Sequence, residues 1–328
     1  MTTHRIDISY KSVIFITAFL IGLWIVGQIL DVILLFFVAF IFMSAFYPLA
    51  DRLVSWKIPR TLAVLLILLL TIASIAGLLA FGLTPLIMQT ISMSHQLSIT
   101  LTSLFNAVGI SQASIGQELS NFSSEAVNIT VNIFKNIVSL VSILVVSVYL
   151  LLDRAKIEDY GTSFFGVRQE RAKKTLRSIE DKLGAWLRGQ ILLSLLIGIL
   201  VYIGLSILGI EAALPLAIIA AFLEVIPVIG PIIAAIPAVL IALTISPVLA
   251  GIVAGLYLVI QQFENHVVVP QVMKKAVGLN PLLVILAISI GGRLLGIGGA
   301  LLAVPIAAVI QIVLQEVLKV ENPVSNLK

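Results

Sequence analysis

Apolar residues run along this chain in long blocks, and polar residues collect in a few segments between them. Residues 12–30 and 32–50 form the first two blocks, with Asp31 at the tight turn that separates them. A short basic loop with Arg52, Lys57 and Arg60 leads into a third block, 61–83. Runs of about 18 or more apolar residues predict membrane-spanning helices, because a helix satisfies its own backbone hydrogen bonds in lipid. Between 85 and 136 the character changes to Ser, Asn, Gln and Thr with few charges. Apolar positions persist there mostly in steps of three and four, among them Ile87, Ile91, Leu101, Leu104, and then Leu119, Phe122, Ala126, Ile129 and Ile133. That spacing predicts the seam of a helical pair, an extramembrane hairpin whose second helix runs on into a fourth span, 137–152.

Residues 153–190 carry most of the remaining basic side chains, including Arg154, Arg168, Arg171, Lys173, Arg177 and Arg188. Ala172, Leu176, Ile179, Leu183 and Trp186 form one helical stripe in this segment. It reads as an amphipathic helix at the inner leaflet, with Trp186 and Gln190 at the membrane interface, or else as a solvated cytoplasmic loop. Two more spans follow at 191–210 and 247–269. Two further apolar segments are broken. The first, 214–243, is interrupted by Pro227, Gly230, Pro231 and Pro237. The second, 281–318, is interrupted by Gly291, Gly292, Gly296, Gly298, Gly299 and Pro305.

The expected fold is an all-α polytopic membrane protein. It has about six full spans, two Gly/Pro-broken re-entrant helical hairpins of inverted orientation, and an extramembrane helical hairpin. The chain divides into three N-terminal spans (1–83), the extracytoplasmic hairpin (84–136), the fourth span (137–152) and the basic amphipathic segment (153–190). A transport core (191–318) and a cytoplasmic tail (319–328) complete it.

Composition strengthens this reading. The 328 residues are 60% hydrophobic and only 11% charged, with a mean hydropathy of +1.18. A soluble domain is about one-quarter charged, and so few charges cannot cover a surface that meets water. There is no cysteine, which excludes disulfides, thiolate metal sites and a cysteine nucleophile. His4, Arg5 and Lys11 precede the first block with no small-residue cleavage site after it, so that block reads as a retained span. The net charge of +4 fits basic loops on the cytoplasmic side of a bilayer. No groove-reading motif points to nucleic acid.

The two broken segments resemble each other. Each opens on Pro-Leu and centres on Gly230-Pro231 or Gly298-Gly299. Each places a Pro seven residues after the first Gly of that pair, at Pro237 and Pro305. With both termini inside, every basic cluster falls on one side of the membrane, and the two segments enter from opposite sides. The arms of the first are too short for full spans. Inverted repeats with broken helices at matching positions point to a transporter site near the midplane.

Glu224 lies three residues before Pro227, inside the first broken segment. A charge at that depth costs about 2.5–3.5 kcal/mol, so it is expected to be paired or to face a cavity. Two roles stay open for it: carrier of a proton or cation, or structural counter-ion of Arg293 in the second segment. Gln261, Glu264, Asn265 and His266 lie near the inner end of the sixth span, where Glu264 is a second polar ligand or an ordinary helix end. Catalytic motifs are absent. There is no His-Glu-x-x-His, no complete phosphate loop and no dinucleotide loop. The chain is expected to be no enzyme and to hold no metal or cofactor.

These residues carry a family resemblance. Trp186-x-x-Gly189-Gln190, Glu224-x-x-Pro227-x-x-Gly230-Pro231, Gln261 and Glu264 leading to Pro270, Gly278-Leu279-Asn280-Pro281-Leu282, and Gly291-Gly292 through Gly298-Gly299 to Pro305 all match one pattern. In these motifs the chain resembles the autoinducer-2 exporter family of bacterial and archaeal permeases. The layout matches throughout, while the specific motifs lie between Trp186 and Pro305. The resemblance implies a homo-oligomeric permease of the cytoplasmic membrane that exports a small polar solute such as autoinducer-2. Other members look like sodium or lithium/proton antiporters. A channel-like or scaffold protein is the remaining alternative.

Overall fold

The computed structural model describes residues 10–78, 80, 137–226, 229–276 and 278–321, and every regular element among them is helical. In chain order these are α1 (Tyr10–Gln28), α2 (Leu30–Ser55), α3 (Arg60–Leu78), α4 (Ile137–Leu152), α5 (Arg154–Ser163), α6 (Gln169–Ile207), α7 (Ala213–Leu223) and α8 (Ile229–Ile245). α9 (Pro247–Phe263) continues through a π-helical turn, Glu264–Val268, into α10 (Val269–Ala276), and α11 (Pro281–Glu321) ends the described chain. Among the described residues five helices are long and apolar enough to cross a membrane: Leu30–Ser55, Arg60–Leu78, Gly166–Ile207, Pro247–Val272 and Leu282–Leu318. The hairpin expected over 84–136, Pro227, and the tail beyond 321 lie outside the described residues.

Apolar side chains face outward along these helices, as with Phe15 on α1, Leu70 on α3 and Leu258 on α9. Such surfaces suit hydrocarbon. Inside, α6 is the axis of the bundle. Its Ile197, Val201 and Leu205 pack with Leu216 and Ala220 of α7, Ala234 and Ala238 of α8, and Val253 and Tyr257 of α9. Nearer its N-terminus, Leu183 and Trp186 pack with Ile41 of α2 and Leu302 and Val304 of α11. A third cluster joins α2, α3 and α4 through Met43, Phe46, Val64, Ile67, Leu144 and Leu151.

Two sequence expectations change here. The basic segment and the fifth span are one unbroken helix of 39 residues, so nothing separates them at 190. At 1.5 Å per residue α6 is about 58 Å long, nearly twice the hydrocarbon thickness. Its charged end can leave the membrane without a break because it has partners. Arg154 of α5 donates through Nε to Glu180 at 2.9 Å, and Arg177 donates to Glu158 at 2.7 Å. Lys173 pairs with Asp159 at 2.7 Å, and Arg171 pairs with Glu316 of α11. The second change concerns Trp186 and Gln190. Both are buried inside the protein and do not face an interface, because α2 and α11 cover the Trp186 side of α6.

The α2–α6 crossing follows from three residues. Pro48 inside α2 has no N–H, so the Ser44 carbonyl four residues earlier lacks its helical donor. Arg188 Nη1 donates to Ser44 and Ala45 carbonyls at 3.3 and 3.2 Å instead. Gly184 permits this approach, since a Cβ there would collide with the Ser44 carbonyl. At the same end, Arg60 donates to the Leu151 carbonyl at 3.2 Å, and the Arg154 guanidinium lies 4.0 Å from the Tyr47 ring centre. The basic residues of the α2–α3 loop and of the segment before the fifth span thus gather at one end of the molecule.

Both broken segments reverse direction. α7 ends at Leu223, and α8 returns so closely that a Cβ on Gly230 would collide with the Leu223 carbonyl oxygen. In α11 the backbone leaves helical geometry at Gly296, with φ of 61° and ψ of −143°, a region that L side chains enter only at a cost. Beyond it, Gly299 lies against the Gly291 carbonyl and Ala303 against Gly291. In a straight helix, residues eight apart would stand about 12 Å apart along the axis. Gly230 and Gly298-Gly299, paired in the sequence, each open the returning arm of a hairpin.

Candidate functional site

α7 is an apolar helix whose last backbone bonds run to a single polar residue. Glu224 caps it, its N–H donating to the Ala220 carbonyl at 3.0 Å. Pro227 follows in the sequence and disfavours helical backbone at the residue before it, so the turn falls just after Glu224. The Glu224 side chain is 1% exposed.

Glu264 comes from the other side. Ala250, Val253, Tyr257, Ile260 and Glu264 form the buried stripe of α9 in steps of three and four. Glu264 opens the π-helical turn, a distortion that recurs at functional sites. It is 4% exposed, and its carboxyl is close enough to the Glu224 carboxyl for the two charges to interact.

Two amides fix this pair. Gln261 Nε2 donates to Glu264 Oε2 at 3.0 Å. Gln190 Nε2 of α6 donates to the Glu224 carbonyl at 2.8 Å, holding the end of α7 in place. Neither Glu224 carboxyl oxygen receives a donor among the described residues. Two bare carboxylates repel, and each needs a donor or a positive charge that neither can supply. A proton shared between them, or a small cation, would meet that need. No group of three or more His, Asp or Glu side chains gathers among the described residues.

The sequence candidates therefore divide. Glu224, Glu264, Gln261 and Gln190 are drawn from α6, α7 and α9 into one buried cluster, with Gly230 and Pro231 at the start of the neighbouring arm α8. Arg293 is exposed, and no ion pair joins it to Glu224 among the described residues. The counter-ion role considered for it is not realised. Asn280 is exposed, and its Oδ1 accepts from the Leu282 N–H at 2.9 Å. With Pro281 at the first helical position it forms a local start signal for α11. Gly291, Gly292, Gly298 and Gly299 belong to the second hairpin, where Gly291 and Gly299 make its closest approach. His266 is exposed, its Nδ1 2.9 Å from the Gln262 carbonyl.

A separate cavity of about 540 Å³ lies at the arginine-rich end, lined by Phe40, Arg154, Arg171, Ile179 and Val313 among others. Its walls stop at Ile179 and Glu180 on α6, nearly three turns short of Gln190, so it is not the carboxylate site. Two buried hydroxyls escaped the sequence reading, Ser194 on α6 and Tyr257 on α9, and neither has a hydrogen-bond partner among the described residues. The only sequence signal for Tyr257 is its place on the inward stripe that ends at Glu264.

Residues 13–319 match the family described as AI-2E family transporter. The chain is 27% identical over 318 residues to "Putative transport protein MT0215" of Mycobacterium tuberculosis (strain CDC 1551 / Oshkosh), covering 92% of this chain and 87% of that one. It is 28% identical over 289 residues to "Putative transport protein YueF" of Bacillus subtilis (strain 168), covering 79% and 77%. With "Putative permease PerM" of Escherichia coli (strain K12) it shares 27% identity over 191 residues, covering 55% and 54%.

Proposed function

The chain belongs to the AI-2E transporter family, and from that premise we propose that it is a secondary transporter whose exchange site is the Glu224–Glu264 pair. One observation carries this reading: two buried carboxyls lie close enough to interact while both oxygens of Glu224 lack a donor among the described residues. Such a pair takes up either a proton or a small monovalent cation, and holding one excludes the other. Alternation between the two, with the site open to one face and then the other, gives sodium or lithium/proton antiport. Gln261 and Gln190 hold the two carboxyls in register, and the α7–α8 and α11 hairpins act as re-entrant gates around them.

A second reading uses the same site. The pair accepts a proton that drives export of a small polar solute such as autoinducer-2, which the family description supports. In both readings the arginine-rich end faces the cytoplasm of a cytoplasmic-membrane protein with both termini inside, as the positive-inside rule requires. The working unit is a homo-oligomer.

Flux through the purified protein in liposomes tests this. The lumen is made acidic and holds a trapped pH dye, and sodium, lithium or an autoinducer-2-like solute is added outside. Antiport raises lumenal pH on cation addition, and Glu224→Gln abolishes the rise. Solute movement coupled to the proton gradient without any cation response selects the exporter reading. Downhill flux without gradient-driven accumulation would contradict both readings and leave a channel, and absence of any flux would leave a scaffold.

A further inference from the structure

Five buried side-chain atoms lack a hydrogen-bond partner among the described residues: Ser194 Oγ, both Glu224 oxygens, Tyr257 OH and Gln311 Oε1. Four of these five belong to α6, the cap of α7, and α9, the three elements that build the carboxylate site. Orphaned buried polar groups cost about 1–3 kcal/mol each.

Their levels follow from the helix contacts. α6 runs antiparallel to α7, because Gly198 meets Ala217 and Ala221 while Gln190, two turns earlier, meets Glu224. α6 also meets α9 where Gly204 accommodates Leu256. Ser194 thus lies one turn from Gln190, beside the level of the carboxylates. Tyr257 is seven residues before Glu264 on the same buried stripe, two turns or about 10 Å away. The direction is fixed too. α6 starts at the arginine-rich end, so Leu256 and Tyr257, beside Gly204, lie beyond the carboxylates from that end.

We propose that Ser194 and Tyr257 line the leg of the permeation path that connects the Glu224–Glu264 pair to the face remote from the arginines, with Tyr257 OH binding water or the passing ion when that leg opens. In the present packing Tyr257 is 8% exposed, so this leg is closed. The hydroxyl has no partner among the described residues because its partner arrives only in the open state. The proposal rests on the carboxylate pair being the exchange site.

The natural absence of cysteine makes accessibility the direct test. Single variants Tyr257→Cys, Glu264→Cys, Val253→Cys and Leu258→Cys are placed in liposomes and treated with a cationic, water-soluble thiosulfonate. Val253 is buried and apolar on the same stripe, and Leu258 faces outward on the same helix. An open state populated at about 1–10% is enough for labelling. The expected result is that Tyr257→Cys reacts at least about tenfold faster than Val253→Cys and Leu258→Cys, approaching Glu264→Cys. Labelling no faster than at Val253→Cys overturns the proposal. Tyr257→Phe supplies the second readout. Removal of an orphaned hydroxyl should leave the thermal midpoint unchanged or raised while slowing cation-driven proton flux several-fold. A lowered midpoint with unchanged flux means a structural hydroxyl and also overturns it. If the wild type moves no proton with any cation while Tyr257→Cys still labels, the exchange reading fails and the water-filled leg stands.

Discussion

The two hairpins share a sequence pattern and differ in what surrounds them. In the first, Leu216, Ala217 and Ala220 of the outgoing arm and Ala234, Ala238 and Ala242 of the returning arm are all buried against α6 and α9. In the second, the outgoing arm exposes Leu282, Ile285, Ile290 and Leu294, and burial is confined to the returning arm at Leu302, Ala303, Val304 and Ala308. The first carries a carboxylate at its turn. The second turns on glycines and an exposed Arg293. A repeated pattern of Gly and Pro therefore encodes the reversal of the chain, and the residue placed at the turn decides whether that reversal holds a site. The first hairpin is packed into the core on both arms, while the outgoing arm of the second reaches the core only through half-buried residues such as Val284 and Ile288.

This contrast can be broken in graded ways. The largest effect is expected where backbone meets backbone. Gly230→Ala drives a Cβ into the Leu223 carbonyl, and Gly299→Ala drives one into the Gly291 carbonyl. Each should cost upwards of about 3 kcal/mol, seen as a lower thermal midpoint in detergent or loss of folded protein. Because both arms of the first hairpin are buried, Gly230→Ala should be the worse of the two. Equal losses would mean that packing around the hairpins does not differ in rigidity.

Next comes chemistry at the turns. Glu224→Gln should abolish proton-coupled flux while leaving the protein folded, since it removes a charge that has no donor among the described residues. Arg293→Gln should change flux less than twofold, being exposed with no ion pair to Glu224 among the described residues. Flux measured side by side in liposomes checks this, and equal losses would restore Arg293 to the site. A smaller effect attaches to Gly296→Ala, where a side chain at φ of 61° and ψ of −143° costs about 1–3 kcal/mol. Nothing lies within 4 Å of a Cβ on Gly298, so Gly298→Ala should be silent in thermal stability. A large loss there would mean that another surface covers the second hairpin.

Much of the layout was readable in the sequence, and the reasons are local. Apolar block length identifies helices such as the one that ends at Leu152, where the structure also ends it. Gly/Pro breaks mark the two reversals because backbone cannot approach backbone past a Cβ. Glu224 stood out as an expensive charge in an apolar run. What was hidden depends on which helices become neighbours. Glu224 and Glu264 are forty residues apart on separate elements, and no periodicity states that they will meet. Arg293 shared the mirror position and the opposite charge, so it was the natural partner by sequence, yet its arm faces outward. The sequence alone assigns Trp186 to an interface because that is where exposed tryptophans settle. It is buried instead, since α6 continues through that level and α2 and α11 close over it. The link between Pro48 and Arg188 is equally invisible along the chain, because a missing donor in α2 is answered from α6.

The central claim is that one buried carboxyl pair holds either a proton or a cation. Proton release on cation binding tests it most directly. Purified protein in weakly buffered detergent solution is titrated with sodium or lithium chloride, with choline chloride as the control salt, while a pH indicator is followed. The account requires about one proton released per chain by the wild type at saturation, and none by Glu224→Gln or Glu264→Gln. A wild type that releases no proton with either cation, or variants that release as many as the wild type, would contradict it.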